Sequence, residues 1–231
     1  MQQVARLRAK NIEVIWVTSG AIAWATDRTK FKKRTRTLPQ KQALSAIGQP
    51  LVMEQYNLAM QSTGLLGAQV LLTAGDMRDP MRRKNLRNTL SELLRWKVIP
   101  VLNENDAVAT EEIRFGDNDS LASQVAVMMK AERLVLMTDV EGLFNGDPKK
   151  NKNVELISFV AKVTERERQW AHKKAVSSQG TGGMYSKLKA AQRAQAAGIL
   201  THFVRGDLPD GLLSLAVGKA IGTQIGGRLV R

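Results

Sequence analysis

Short apolar runs alternate with longer segments of helical spacing along this chain, and that alternation leaves few folds open. The runs lie at residues 13–17, 69–73, 98–102, 133–138 and 199–204. Between them, apolar residues recur at intervals of three and four over residues 41–61, 80–96, 120–130, 164–174 and 184–197. Strand, helix, strand in succession demands crossover connections, which set the strands parallel and cover both sheet faces with helices. The expected fold class is α/β, a three-layer α/β/α sandwich around a mostly parallel sheet. Ligands in such sheets gather at the carboxyl ends of strands, so the polar residues ending each run are the ones to inspect. One segment departs from the pattern. Residues 107–115 read as two short extended pieces, a hairpin over the strand ends.

Composition narrows the class. The chain has 231 residues, 43% of them hydrophobic, enough for a sizeable core in one α/β domain or two closely packed lobes. It contains no cysteine and only the histidines His172 and His202, which excludes disulfides and thiolate or His-rich metal sites. No apolar run is long enough for a membrane span, and the amino terminus lacks the apolar centre of a secretory signal, so the expected location is cytoplasmic. The formal net charge is +14, yet aromatic residues make up only 5% and do not interleave with the basic clusters as stacking platforms do. A solvated basic surface that steers anionic substrates is expected ahead of a nucleic-acid partner.

Chemistry concentrates in a few clusters. Gly180-Thr181-Gly182-Gly183-Met184-Tyr185-Ser186-Lys187 runs into a helical pattern. Glycines let a backbone approach an anion closely, and the helix that follows aims its positive end at the loop. Lys187 adds a mobile full charge, so the segment suits a phosphate. The run at 98–102 stops at Asn103-Glu104-Asn105-Asp106, and beyond the expected hairpin Gly116-Asp117-Asn118-Asp119-Ser120 opens a helix. Capping of that helix explains one such residue, not two facing clusters. Together the clusters could hold a small polar ligand by its ammonium and carboxylate groups. Thr18-Ser19-Gly20-Ala21 and Thr138-Asp139, each at the end of an apolar run, are weaker signals of the same kind.

These segments, in this order, resemble the glutamate 5-kinases of the amino acid kinase family. The resemblance covers the chain from about Asn11 onward. It rests on Val-Thr-Ser-Gly-Ala-Ile-Ala from Val17, Asn-Glu-Asn-Asp-Ala-Val-Ala-Thr from Asn103, Gly-Asp-Asn-Asp from Gly116, Thr-Asp-Val-Glu-Gly-Leu-Phe from Thr138 and Gly-Thr-Gly-Gly-Met from Gly180. It implies ATP-dependent transfer of a phosphoryl group, with Mg²⁺, to the side-chain carboxylate of L-glutamate. The acyl phosphate formed would feed proline biosynthesis through glutamate-5-semialdehyde dehydrogenase as functional partner. By position it implies that Ser19, Gly20, Asp106 and Asn118 bind glutamate. Thr138, Asp139 and the loop Thr181, Gly182, Gly183, Met184, Tyr185, Ser186 and Lys187 would bind ATP. Lys187 and Asp119 would be catalytic, the first neutralising the moving phosphoryl group and the second organising the lysines. No residue is assigned to a metal directly. A homo-oligomer is also implied.

The resemblance sets expectations for the chain's organisation. Residues 1–231 would form one kinase domain, with an amino-acid-binding lobe over about 1–132 and a nucleotide-binding lobe over 133–231. The RNA-binding-like domain that follows in many members is expected to be absent. The family's first strand, with its glycine, Ser/Thr and catalytic lysine, has no counterpart here, where the chain opens directly on the first helix, so little or no kinase activity and modest stability are expected of residues 1–231 alone. Two other readings stay open: a weakly active or inactive kinase-fold protein that binds amino acid or nucleotide, and a basic nucleic-acid-associated protein.

Overall fold

The computed structural model describes residues 1–31, 36–110, 117–148, 151, 153–172 and 183–227. The chain forms two compact units, Met1–Asn118 and Asp119–Arg231.

The first unit contains α1 (Gln2–Ala9), β1 (Trp16–Val17), α2 (Ala21–Thr29), α3 (Leu38–Gln61), β2 (Gly67–Leu72), α4 (Ala74–Arg78), α5 (Pro80–Arg95) and β3 (Ile99–Glu104). Its strands form a parallel sheet in the order β1-β3-β2, so β3 is central, and every residue of β3 is buried. Helix starts follow local chemistry. Asp79 accepts the Arg82 N–H at 2.8 Å and Pro80 occupies the first turn of α5, where its missing N–H costs nothing. Leu86, Leu90 and Leu94, four residues apart, form the buried stripe of that helix, each contributing roughly 1.5–3 kcal/mol. Gly48 in α3 lies against α2 so closely that a Cβ there would sit 1.7 Å from the Ala21 carbonyl oxygen.

The second unit contains α6 (Asn118–Met129, whose first residue closes the first unit), β4 (Arg133–Thr138), β5 (Phe159–Val160), α7 (Glu165–His172), α8 (Met184–Ala196), β6 (Leu200–Arg205), α9 (Gly211–Ala216) and β7 (Thr223–Ile225). The sheet order is β4-β6-β7-β5, with β4 parallel to β6 and β5 parallel to β7, while β6 and β7 are antiparallel. Leu134, Leu136, Leu143, Leu188, Phe203 and Ile225 are among its core. Gly222 has φ +64°, and a Cβ there would meet the Phe203 carbonyl oxygen at 2.0 Å, so the turn into β7 tolerates only glycine.

Helices and parallel-dominated sheets make this an α/β protein, as the alternation requires. The described strands fall into two sheets, one in each unit, and the second includes an antiparallel pair, because the return through α9 brings β7 back beside β6. Two local expectations need correction. Of residues 13–17 only Trp16 and Val17 pair as strand. The expected hairpin is not extended in its first piece: Asn105 O accepts the N–H groups of Val108 and Ala109 at 3.2 and 3.0 Å, closing a turn. Its second piece, residues 112–115, lies outside the described residues.

Candidate active site

In the first unit the site residues leave the sheet from neighbouring strands. Val17 pairs with Leu102, and Thr18 extends the pairing by donating its N–H to Leu102 O at 2.8 Å. Ser19 and Gly20 follow, both exposed, with Gly20 at φ +99° turning the chain into α2. On the adjacent strand β3 ends at Glu104, and Asn105 and the half-buried Asp106 follow. The carboxyl ends of β1 and β3 therefore bring Ser19, Gly20 and Asp106 out of the same sheet edge.

A buried amide chain supports this end of β3. Asn103 Nδ2 donates to Gln49 Oε1 at 2.8 Å, and Gln49 Nε2 donates to Gln69 Oε1 at 2.9 Å. Asn103 Oδ1 accepts the Glu104 N–H at 2.9 Å, which ties the side chain to its own strand end. Asn103 is 2% and Gln49 7% exposed, so unmet hydrogen bonds there would be costly, and the chain meets them. A cavity of about 180 Å³ opens beside it, lined by residues including Ser45, Gln49, Gln69, Glu104 and Asp106. Carboxylates and amides on one wall suit a ligand carrying an ammonium group. Asn118, the first residue of α6, keeps its Oδ1 buried without a hydrogen-bond partner among the described residues.

In the second unit, Lys187 is the fourth residue of α8, and its N–H makes the first bond of the helix ladder, to Gly183 O at 3.2 Å. The positive end of the helix dipole thus lies at Gly183. Lys187 Nζ donates to Asp119 Oδ1 at 2.9 Å, and the two side chains are 14% and 15% exposed. Met184 is a core residue at 7% exposure, so its side chain serves packing. The Tyr185 ring carries the Lys189 ammonium 4.6 Å from its centroid, a cation–π contact. Ser186 Oγ is buried and lacks a hydrogen-bond partner among the described residues. Thr181 and Gly182 lie outside the described residues.

Thr138 closes β4 opposite Arg205 of β6, and its hydroxyl donates to Asp139 Oδ1 at 3.4 Å. Sequence reasoning missed the ion cluster at this strand end. Arg205 bonds Glu141 at 3.3 Å and also Asp207, whose carboxyl it holds below the usual range. Asp207 lies two residues from Arg205, but only the pairing of β4 with β6 brings Glu141 there, which spacing does not signal. Near the start of α7, burial opposes ionisation of Glu167, but the Thr164 hydroxyl and N–H both donate to it and keep its carboxyl below the usual range. Among the described residues no three His, Asp or Glu side chains converge as a metal site, and no helix is long and apolar enough to cross a membrane.

Comparison with known proteins gives the geometry its family. Residues 1–205 match the model of the amino acid kinase family. The chain belongs to the amino acid kinase family. Among curated members, a glutamate 5-kinase of Caldanaerobacter subterraneus is 43% identical over 223 residues, spanning 96% of this chain and 60% of its own length. One of Gloeobacter violaceus is 42% identical over 233 residues, spanning 99% and 63%. The chain thus spans about three fifths of the length of these relatives. Solved amino acid kinase folds superpose as well. The isopentenyl phosphate kinase of T. acidophilum has a TM-score of 0.62 at 14% identity, covering 97% of this chain and 88% of that one. The uridylate kinase of Archaeoglobus fulgidus gives 0.61 at 16% identity, covering 97% and 90%. At such identity they speak for the fold alone.

Proposed function

We propose that this chain phosphorylates the side-chain carboxylate of L-glutamate with ATP, giving L-glutamyl 5-phosphate. The observation that carries the proposal is the 42–43% identity to glutamate 5-kinases over 96–99% of the chain. The chemistry agrees with the residues. A carboxylate is ionised at neutral pH, so the reaction needs no general base and no Ser/His or Cys/His pair. The task is to bring two anions together and offset the charge that moves between them.

Lys187, at the start of α8, suits the transferred phosphoryl group, and Asp119 holds its ammonium in place. Thr138, Asp139 and residues 181–187 would bind ATP, with Met184 contributing through its backbone because its side chain is in the core. Ser19, Gly20, Asp106 and Asn118 would bind glutamate, Asp106 meeting the ammonium group. Asn118 Oδ1 and Ser186 Oγ, which lack hydrogen-bond partners among the described residues, are polar atoms that a ligand could satisfy. Lys187 at the start of α8 suits a polyphosphate, on whose oxygens Mg²⁺ would be carried. Mg²⁺ when bound would screen the phosphate charge.

On this reading residues 1–132 form the amino-acid lobe and 133–231 the nucleotide lobe. The protein would act in the cytoplasm as a homo-oligomer, and glutamate-5-semialdehyde dehydrogenase would consume its unstable product in proline biosynthesis. Trapping the acyl phosphate with hydroxylamine tests the reading. Hydroxamate that requires protein, ATP and glutamate is expected, and its absence contradicts the proposal.

A further inference from the structure

Lys187 and Asp119 stand on different helices, and their distance depends on how α6 and α8 are held together. A second polar link joins those helices. Arg193 Nη1 donates to Ser123 Oγ at 2.9 Å and to Ser120 Oγ at 3.2 Å. Ser123 is fully buried and donates in turn to Ser120 O at 2.9 Å, so the arginine meets a fixed acceptor. Lys187 and Arg193 are six residues apart, about 9 Å along α8, and Asp119 and Ser123 are four apart, about 6 Å along α6.

One polar contact leaves two helices free to pivot and slide about it. A second contact more than a turn away removes both motions. The buried residues of α8 are Met184, Leu188, Ala190, Ala191 and Ala194, and the helix packs chiefly on α7, β6 and β4, so close packing against α6 does little to fix its register there. One guanidinium nitrogen of Arg193 bonded to both hydroxyls supplies a charge-assisted link between the two helices.

We infer that Arg193 is a positioning residue: through Ser120 and Ser123 it sets the register of α6 against α8 and so keeps the Asp119 carboxylate at the Lys187 ammonium. Arg193 itself touches no substrate. Its importance grows during turnover, because Lys187 must share its charge between Asp119 and phosphate oxygens. When that pair loosens, the Arg193 link preserves the alignment to which Lys187 returns. The catalytic consequence rests on the proposed phosphoryl transfer, whereas the geometric claim does not.

The test uses the full chain with Arg193→Ala, Arg193→Lys and Ser123→Ala. Labelling of Lys187 by an amine-reactive reagent, read by peptide mass spectrometry against Lys162 and Lys189, needs no enzymatic activity. Arg193→Ala should raise Lys187 labelling several-fold and leave the two reference lysines unchanged, and Arg193→Lys should recover part of the protection. In the hydroxamate assay, kcat should fall about tenfold, as for loss of one charge-assisted bond, while the KM for glutamate stays within about twofold. Unchanged Lys187 labelling overturns the inference, as does an equal rise at all three lysines, which would mean general loosening. Should Arg193→Ala fail to fold, Ser123→Ala removes the buried acceptor of the same link and is read by the same criteria. If the wild-type chain makes no hydroxamate, the proposed reaction falls, and the labelling still decides the register.

Discussion

Lys187 Nζ and Asp119 Oδ1 lie 2.9 Å apart, and about six-sevenths of each side chain is withdrawn from solvent. A pair this enclosed is more than a surface ion pair, because either charge left alone is costly. It also explains how a mobile lysine at a helix start can be aimed: the carboxylate fixes its ammonium before any phosphate arrives.

The pair should therefore act as a unit. Lys187→Ala is expected to lower kcat by roughly 10²–10³-fold, as for loss of one charge donor in the transition state. Asp119→Asn should lower it as well, and the double variant should be no worse than Lys187→Ala within about threefold. Steady-state kinetics on the three variants checks this. Fully multiplicative losses would separate the two residues.

Substrate choice follows from the acidic wall beside Asp106. Glutamate should be preferred to N-acetylglutamate, because an acetylated amine carries no charge for the carboxylate to meet. Aspartate should also be poor, since its shorter side chain does not bring the carboxylate to the phosphoryl group. Competition assays with the three acids give the ratios of kcat/KM. Equal values for glutamate and N-acetylglutamate would remove Asp106 from ammonium recognition.

Stability should depend on His202. Burial in β6, with the Arg133 charge nearby, lowers its pKa from 6.5 to about 4. Between those pH values the unfolded chain binds the proton and the folded protein does not. The stability is thus full above about pH 6.5 and is lost as pH falls toward 4. Melting temperatures across that window should drop less steeply for His202→Gln than for the wild type. Parallel curves would show that the imidazole does not contribute.

Gly48→Ala should destabilise the first unit strongly, because the added Cβ would sit 1.7 Å from the Ala21 carbonyl oxygen, so that one helix must move. Overpacking of this kind costs about 1–3 kcal/mol or more. A denaturant titration reads it directly, and an unchanged midpoint would mean that α2 yields freely.

Much of this fold was legible because its longer elements carry their own period. The run at 133–138 appears as β4 unchanged, and the helical patterns from 80, 120 and 184 become α5, α6 and α8 with shifts of two residues or fewer. The helix α4 and the strands β5 and β7 escaped because five, two and three residues hold too little periodicity to read. The antiparallel placing of β7 beside β6 was equally hidden, since it depends on which strands pair and not on where they lie. Among site residues, Lys187 was legible from its glycine-rich loop and helix. Arg193 was not, because its partners Ser120 and Ser123 are some seventy residues away and look like ordinary helix residues. The Gln49–Asn103 bond, across 54 residues, was hidden for the same reason.

The most direct test is hydroxamate formation by the wild-type chain and Lys187→Ala, each with ATP, hydroxylamine and either glutamate or aspartate. The account predicts glutamate hydroxamate that requires ATP, little from aspartate, and a loss of roughly 10²–10³-fold in the variant. No ATP-dependent product from glutamate, or equal product from Lys187→Ala, would contradict it.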